Sequence, residues 1–435
     1  MPSSVSFATA LRYWLKLGFI SFGGPAGQIA MMHAELVEKR RWISEKRFLH
    51  ALNFCMVLPG PEATQLAIYI GWLMHKTRGG IAAGLLFILP SLALLIGLSW
   101  IYLAYGRLPV VAAVLYGIKP AVVAIVLAAC RRIAARTLTN LWLGAISLAA
   151  LIGLSAFNLP FPAVMLSAAA IGMIGGRIAP GKFHSGAAHH AAQASYGPAL
   201  IDDDTPTPPH ARFTWFRLAA GLVLGIAIGA LLWLALAACF DWQSPLTQMG
   251  IFFSKAALLT FGGAYAVLPY VVQNAVERMH WLTPAQMMDG MALGETTPGP
   301  LIMIVAYVGF LGGWQTAAGA PMLPAIAGAV IATCFTFLPS FVFVLAGGPM
   351  VEATRGEVRF TAPLTAISAA VVGVIASLAL FFARHVFRLD TLWQYWDYGA
   401  ILICTAALIA MLRFRLDTIK TLFGCAVAGL VISYV

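Results

Sequence analysis

Two kinds of backbone-breaking motif stand inside apolar sequence, and each occurs twice at a constant offset of 239 residues. They are Gly23-Gly24 with Pro59-Gly60-Pro61, and Gly262-Gly263 with Pro298-Gly299-Pro300. Hydrocarbon cannot satisfy the backbone groups that such breaks release, so this backbone must be buried in protein or line a watery cavity. A helix that restarts after a break points its amides and positive dipole end into that cavity. The motifs therefore predict an anion site, although the Gly-Gly pairs alone would also permit close helix packing.

Polar side chains flank these breaks and could supply further hydrogen-bond donors. Hydroxyl groups stand beside the motifs at Ser21, Thr64, Thr260 and Thr297. The amide of Gln65 follows the first Pro-Gly-Pro motif. It either donates to an oxyanion or satisfies backbone that the break exposes.

Charged residues also lie within the apolar sequence near the breaks. Lys16 and Lys255 precede the two Gly-Gly pairs at the same offset. Because an unpaired ammonium in a membrane costs at least about 2.5 kcal/mol, each lysine must bind an anion, pair with a carboxylate or reach an interface. Glu62 follows the first Pro-Gly-Pro motif and Glu295 precedes the second. Both are candidate proton carriers, or they only neutralise the lysines.

The composition excludes a soluble globular protein. Of 435 residues, 61% are hydrophobic and 10% charged, and the mean hydropathy is +0.87. The net charge of +11 arises mostly from short loops, where the positive-inside rule explains it without nucleic acid. Six scattered cysteines form no CxxC pair, so neither a redox nor a metal motif is present and no cofactor is predicted.

Two other patterns do not support a function. The stretch GRIAPGKF, residues 176–183, ends in Phe183 where a phosphate loop needs Ser or Thr, so ATP-driven transport is unsupported. Histidines at 184, 189, 190 and 210 lack acidic or cysteine ligands at metal spacing, so no metal site is predicted.

The pattern of apolar segments predicts an all-α polytopic integral membrane protein with about 10 to 13 membrane segments. The chain is predicted to begin with an N-terminal half at 1–179, followed by a flexible cytoplasmic linker at 180–213. An extra membrane helix at 214–239 then leads into a C-terminal half at 240–435. If the broken segments 7–24 and 48–74 act as a pair, the extra helix makes the number of crossings between the halves odd, which predicts an inverted repeat.

Loop charge favours a particular path for the broken segments. If 7–24 and 48–74 enter the membrane and return, turning at their breaks, the basic loops fall on one side, the cytoplasm, together with the N-terminus. Kinked but continuous helices are the alternative. Residues 29–41 are predicted to form an amphipathic interfacial helix, and Thr283 and Ser44 to cap equivalent helices.

Four stretches around the breaks closely resemble the long-chain chromate transporter family, in which two homologous halves share one polypeptide. They are FGGPAGQIAMMHAELVEKRRWIS and LPGPEATQLAIYIGW in the first half, and LTFGGAYAVLPYV and GETTPGPL in the second. The resemblance covers nearly the whole chain apart from the linker. It carries over to both pairs of motifs and to Phe22, Pro25, Gln28 and Phe261 beside them. Ala264 and Val267 replace Pro25 and Gln28 in the second half, which also lacks an acid matching Glu62.

The resemblance implies export of chromate from the cytoplasm across the bacterial inner membrane, with chromate resistance as the outcome and a proton or potential gradient as the driving force. We expect amides near the first breaks and Lys16 to hold the oxyanion while one half rocks against the other. Sulfate is also a tetrahedral dianion, so sulfate uptake or exchange is the nearest alternative. A membrane-bound chromate reductase would need flavin, haem or metal motifs, and none occurs. The sequence leaves the oligomeric state open, a homodimer included.

Overall fold

The computed structural model describes residues 5–22, 24–106, 108–183, 197–261, 263–316, 322–353, 361–389 and 395–434. Within these ranges every regular element is a helix, and the only strand-type pairing is one isolated parallel bridge between Ile43 and Ile201, which confirms the all-α prediction. The α-helices of the first half are α1 (Phe7–Ile20), α2 (Gly24–His33), α3 (Glu45–Val57), α4 (Glu62–Tyr105), α5 (Pro109–Thr137), α6 (Leu141–Ser155), α7 (Phe161–Ile178) and α8 (Pro180–Phe183). Those that follow are α9 (Trp215–Phe240), α10 (Pro245–Leu258), α11 (Ala264–Val271), α12 (Pro284–Thr296), α13 (Ile304–Trp314), α14 (Met322–Ala353), α15 (Thr361–Phe387), α16 (Tyr398–Arg413) and α17 (Thr418–Tyr434).

Six helices among the described residues are long and apolar enough to cross a membrane. They are α4, α5, α7, α9, α14 and residues Ala362–Phe387 of α15. Helix α9 is the predicted extra helix, and only 6% of its most apolar window is buried. An apolar helix exposed on nearly all sides requires lipid around it. The chain is therefore a multi-pass membrane protein.

The two halves repeat their backbone in detail. Helix α2 widens into a π-helical turn at Ala34–Lys39, and the same turn follows α11 at Val272–Arg278. Each turn is followed by a residue of positive φ, Arg41 at 52° and His280 at 53°. The internal repeat thus extends beyond the Gly and Pro motifs into π-turns that residue types alone do not predict.

Both predicted helix caps are confirmed. The Ser44 hydroxyl accepts a hydrogen bond from the Arg47 amide at 3.3 Å, at the start of α3. At the start of α12, the Thr283 and Gln286 side chains each accept from the other residue's amide, at 3.2 and 2.8 Å. This reciprocal pair is a capping box, and it begins equivalent helices in the two halves.

The chain forms two compact units, and neither coincides with a sequence half. Unit 1 comprises Met1–Leu94, Gly186–Ala264 and Thr297–Arg359, and unit 2 comprises Leu95–Ser185, Tyr265–Thr296 and Phe360–Val435. Each unit therefore draws helices from both repeats. All four breaks lie in or beside unit 1.

Within unit 1, the chain folds back at the first Pro-Gly-Pro motif. Arg47 near the start of α3 and Tyr69 in α4 both contact the carboxylate of Glu352, at 3.5 and 2.6 Å. Helices continuing in one direction through the break would place Arg47 and Tyr69 about 30 Å apart at 1.5 Å per residue. Helix α3 has only 13 residues, about 20 Å, which is shorter than the hydrocarbon core. This hairpin supports the predicted entering and returning path.

A second turn, which the sequence analysis did not predict, divides α4. His75 and Lys76 leave helical geometry, with Lys76 at φ 58° and ψ −160°. The two arms pack tightly, since a Cβ added at Gly71 would lie 2.5 Å from the Gly79 carbonyl oxygen. Glycines at the crossing allow this close approach.

The linker differs from its prediction where the structure describes it. Residues 184–196 lie outside the described part, but residues 197–213 are ordered against unit 1. The Ile201 carbonyl accepts from the Ser44 amide at 2.9 Å, and the Ile201 amide donates to the Trp42 carbonyl at 3.1 Å. The Ser44 hydroxyl donates to Asp203 at 2.6 Å. Its polar, Pro-containing composition indicated flexibility, but backbone hydrogen bonds to the segment before α3 hold this part in place. We call residues 197–213 the strap.

The α4 turn generates a stability prediction. Backbone geometry like that of Lys76 is occupied almost only by glycine and costs roughly 1–3 kcal/mol for other residues. We expect Lys76→Gly to raise the free energy of unfolding in detergent by about 1 kcal/mol. Arg78→Gly, two residues on within the helix, should lower it by about 1 kcal/mol. A destabilised Lys76→Gly protein would show that the turn is not strained.

Candidate functional site

The four breaks satisfy one another across the repeat. The Gly60 amide donates to the Thr260 carbonyl at 2.7 Å, and the Gly299 amide donates to the Ser21 carbonyl at 2.8 Å. These two bonds are repeat equivalents, because each joins a Pro-Gly-Pro glycine of one half to the residue two positions before the Gly-Gly pair of the other. Both glycines have positive φ, 126° and 110°, which a side chain would disfavour. A reciprocal pair of this kind is the sign of a pseudo-twofold relation at the centre of unit 1.

Two buried glutamines complete the hydrogen bonding at the breaks. Gln28 Nε2 donates to the carbonyls of Gly299 at 2.5 Å and Ser21 at 3.3 Å. Gln65 Nε2 donates to the Pro59 carbonyl at 2.8 Å and to Ser340 Oγ at 3.4 Å. Of the two roles left open for Gln65, the structure therefore has its amide nitrogen bound to broken backbone. The amides of Gly60 and Gly299 are likewise bound to carbonyl oxygens.

Two serines that sequence analysis missed contact the same glycines. Ser91 lies against Gly299, where an added Cβ would stand 3.0 Å from its Oγ. Ser340 lies against Gly60, where the corresponding separation is 2.4 Å. Both belong to a repeated Leu-Pro-Ser triplet, at 89–91 and 338–340, and each contacts the break of the other half. The repeated triplet is the sequence signal that could have identified these serines. Its two copies are not 239 residues apart like the breaks, because the connections between helices differ in length.

Three buried hydroxyl groups around the breaks have no hydrogen-bond partner in the part of the chain that the structure describes: Ser21, Thr64 and Ser91. Their residues are 0%, 0% and 1% exposed. Thr64 lies in the first turn of α4, where the helix has unpaired amides. Orphaned buried donors are rare and call for a ligand or water. The buried oxygens Oε1 of Gln28 and Gln65 also have no partner among described residues, and water or a protonated oxyanion could satisfy them.

The remaining predicted site residues occupy varied positions. Thr260 is buried and its hydroxyl donates to the Ala256 carbonyl at 2.7 Å, whereas Lys16 and Lys255 are exposed on α1 and α10. Thr297 is buried. Gly24 and Gly263 have positive φ, 73° and 101°, and Gly23 and Gly262 lie outside the described residues.

The two predicted proton carriers differ in their surroundings. Glu62 is half-buried in the first turn of α4 and makes no hydrogen bond or ion pair with the described residues around it. In unit 2, Glu295 accepts a hydrogen bond from the Tyr265 hydroxyl. Glu62 forms no ion pair with Lys16 or Lys255 in the described structure, so the structure does not support the alternative that Glu62 only neutralises these lysines.

Comparison with known proteins decides the family. The family model for the chromate transporter matches residues 8–173 and 247–430, one range in each half. The chain belongs to the chromate transporter family. A chromate transport protein of Pseudomonas aeruginosa is 33% identical over 88% of this chain and 83% of its own length. That of Cupriavidus metallidurans is 27% identical over 97% and 92%, and a probable chromate transport protein of Synechococcus elongatus is 28% identical over 86% and 84%. No solved structure matches the chain.

The family membership confirms the resemblance drawn from the motifs. The matched ranges leave out residues 174–246, which hold the strap and α9. The breaks, the repeated Leu-Pro-Ser triplets and both buried glutamines all lie within the matched ranges.

Gln28 provides a test of the pairing at the breaks. Gln28→Met keeps the side-chain volume but removes the side-chain donor to the Gly299 carbonyl and leaves the Ser21 carbonyl with the Gly299 backbone amide alone. We expect a loss of about 1–3 kcal/mol in the free energy of unfolding. Gln248→Met, on the exposed surface of α10, should change it by less than about 0.5 kcal/mol. Equal stability of the two variants in the same detergent would contradict the assigned hydrogen bonds.

Proposed function

We propose that this protein exports chromate from the cytoplasm across the bacterial inner membrane by secondary transport and so confers chromate resistance. The observation that carries the proposal is the set of three buried hydroxyl donors without partners, Ser21, Thr64 and Ser91, beside the breaks of unit 1. The names of the relatives, chromate transport proteins in three bacteria, support the choice of substrate.

The chemistry of the hydroxyl cluster suits an oxyanion. A tetrahedral dianion presents four acceptor oxygens, and hydroxyl donors bind them without the cost of burying a permanent charge. The N-terminus of α4 adds a partial positive charge beside Thr64. Glu62 stands in the same helical turn, and its carboxylate repels a dianion until it accepts a proton.

The driving force follows from the charge of the substrate. Moving one elementary charge across the membrane is worth about 2.3 kcal/mol per 100 mV, so a dianion leaving a negative interior gains about twice that. The reciprocal contacts between the breaks provide a hinge-like centre about which the repeats could alternate. The N-terminus and the basic loops are assigned to the cytoplasm by the positive-inside rule.

The first test measures labelled chromate uptake by everted membrane vesicles energised by respiration. We expect Ser91→Ala to raise KM about tenfold, the equivalent of one lost hydrogen bond to a charged group. Ser99→Ala is a matched control on α4, because the Ser99 hydroxyl donates to its own helix at Leu95, 2.6 Å away. Its KM should match that of the unmodified protein. Equal KM values in the two variants would remove Ser91 from the site.

A second test decides the direction of chromate transport and its coupling to an energy source. Chromate accumulation in everted vesicles, inhibited by excess sulfate and reduced in Lys16→Ala and Glu62→Gln, would support an energised oxyanion exporter. Sulfate accumulation in right-side-out vesicles, with no chromate uptake in everted ones, would instead establish oxyanion uptake. If Glu62→Gln merely accelerated passive chromate flux, the protein would behave as a channel.

A further inference from the structure

A buried acidic residue lies in unit 2, in the middle of α12. Asp289 is 2% exposed. Its Oδ2 accepts a hydrogen bond from the Tyr102 hydroxyl at 2.9 Å and lies 3.7 Å from Nζ of Lys119. Its Oδ1 is buried and has no hydrogen-bond partner in the part of the chain that the structure describes. Sequence analysis named Glu62 and Glu295 as candidate proton carriers and did not consider Asp289.

The two contacts satisfy the carboxylate of Asp289 incompletely. An ionised carboxylate has about four acceptor sites on its two oxygens. Here both partners are on one oxygen, and burying the other oxygen without a donor costs free energy. Lys119 favours the ionised carboxylate, whereas burial of the unpaired oxygen favours the neutral carboxyl. A group that must bind and release a proton requires such opposing effects.

Lys119 does not depend on Asp289 alone for solvation, because it also faces a cavity. Its side chain is 28% exposed and lines a cavity of about 340 Å³ within unit 2. Thr283 at the start of α12 and Met288, the residue before Asp289, line the same cavity. A cavity of this size with polar side chains in its wall can hold water. Water there solvates the ammonium when Asp289 is neutral, and it brings protons to the edge of the pair.

Lys119 also lies deep within its helix. It is the eleventh of the 29 residues of α5, about 15 Å from the helix start at 1.5 Å per residue. Helix α5 is long and apolar enough to cross a membrane. Ionisable residues inside such helices are costly, and they mark paths of ions or protons. The position of Lys119 therefore indicates a function for the pair.

The pair of Asp289 and Lys119 occurs once, although the repeat duplicates both positions. At the offset of 239, Asp289 matches His50 of α3. At the offset of the two Leu-Pro-Ser triplets, Lys119 matches Ser368 of α15. A histidine and a serine cannot form a carboxylate–ammonium pair. The breaks, helix caps and π-turns recur because both halves need them to fold, so this pair is not one of the elements that the repeated fold requires.

Other charged groups stand around α12, but none of them contacts the Asp289 carboxylate in the described part of the chain. Helix α12 packs against α5, α15, α17 and the π-helical turn at Val272–Arg278. These elements contribute Tyr116 from α5, Arg384 and His385 from α15, Lys420 from α17, and Glu277 and Arg278 from the turn. Arg388 and Asp397 face the cavity, and Glu295 lies on α12 itself. The protonation of Asp289 therefore depends first on Lys119 and Tyr102.

We propose that Asp289 binds the coupling proton of transport, with Lys119 and Tyr102 positioning its carboxylate. This inference rests on the proposed secondary transport of an oxyanion, and it names a proton site in unit 2, whereas Glu62 belongs to unit 1. In one state Asp289 is ionised and pairs with Lys119. In the other state Oδ1 carries a proton, and Lys119 is solvated by water in the cavity. Proton uptake and release are thus tied to a change at the contact between α5 and α12.

The test uses proteoliposomes that contain the purified full-length protein, with valinomycin and potassium setting the membrane potential. Labelled chromate flux is measured once with a pH gradient at zero potential and once with a potential at equal pH. Asp289→Asn has no carboxyl to titrate, so we expect the ratio of the first flux to the second to fall at least about tenfold. Asp417→Asn, an exposed acid-to-amide change in unit 2, is the matched control and should keep the ratio. A purely structural role of Asp289 would lower both fluxes together, and an unchanged ratio would overturn the inference.

A second variant keeps the test decisive if Asp289→Asn folds poorly. Lys119→Gln removes the ammonium that favours the ionised carboxylate, so the midpoint of the pH profile of gradient-driven flux should move up by about one pH unit. Lys420→Gln, an exposed change on α17, should not move it. An unchanged midpoint in folded Lys119→Gln protein would overturn the inference, as would chromate flux in the unmodified protein that responds to potential but not to a pH gradient. Absence of chromate flux under either gradient would overturn the proposed function instead.

Discussion

The structure depends on one constraint, that backbone groups released by breaks in apolar helices must find partners within the protein. Each half releases an amide at its Pro-Gly-Pro glycine and a carbonyl before its Gly-Gly pair. The Gly60 amide pairs with Thr260, and the Gly299 amide pairs with Ser21. Each half thus supplies the partner for the group that the other half releases, and the twofold relation between the repeats satisfies both.

This constraint also limits which groups at the candidate site remain available to bind a substrate. The amides of Gly60 and Gly299, which a broken helix would normally present to a ligand, are used in holding the halves together. The side-chain nitrogens of Gln28 and Gln65 are used on the carbonyls of the breaks. The hydroxyls of Ser21, Thr64 and Ser91 have no partner in the described structure, so they remain available as donors beside the first turn of α4. Around the breaks, the backbone amides of Gly60 and Gly299 hold the two halves together, and the nearby hydroxyls are left to bind a substrate.

The sequence predicted much of this arrangement because breakers and charges carry local information. The repeat offset, the helix caps at Ser44 and Thr283, and the family all followed from residue types at fixed spacing. Contacts between distant residues did not, since nothing local links Arg47 to Glu352 or Ser91 to Gly299. The strap was missed for a related reason, because its polar composition describes an isolated segment and not the backbone edge before α3 that it meets. The turn at Lys76 was missed because a lysine gives no sign of glycine-like geometry.

The cross-repeat pairing has a consequence for biosynthesis. Gly60 is synthesised about 200 residues before Thr260, which corresponds to roughly 10 to 40 s at usual translation rates. Throughout that interval the first hairpin has a released amide and no cognate carbonyl, while α4 is already apolar enough to cross a membrane. Until the second repeat emerges, the Gly60 amide needs another partner, such as water or the insertion machinery. Folding of unit 1 is thus completed after translation of most of the chain, and slowing synthesis between the halves should make the nascent chain more susceptible to quality-control proteases.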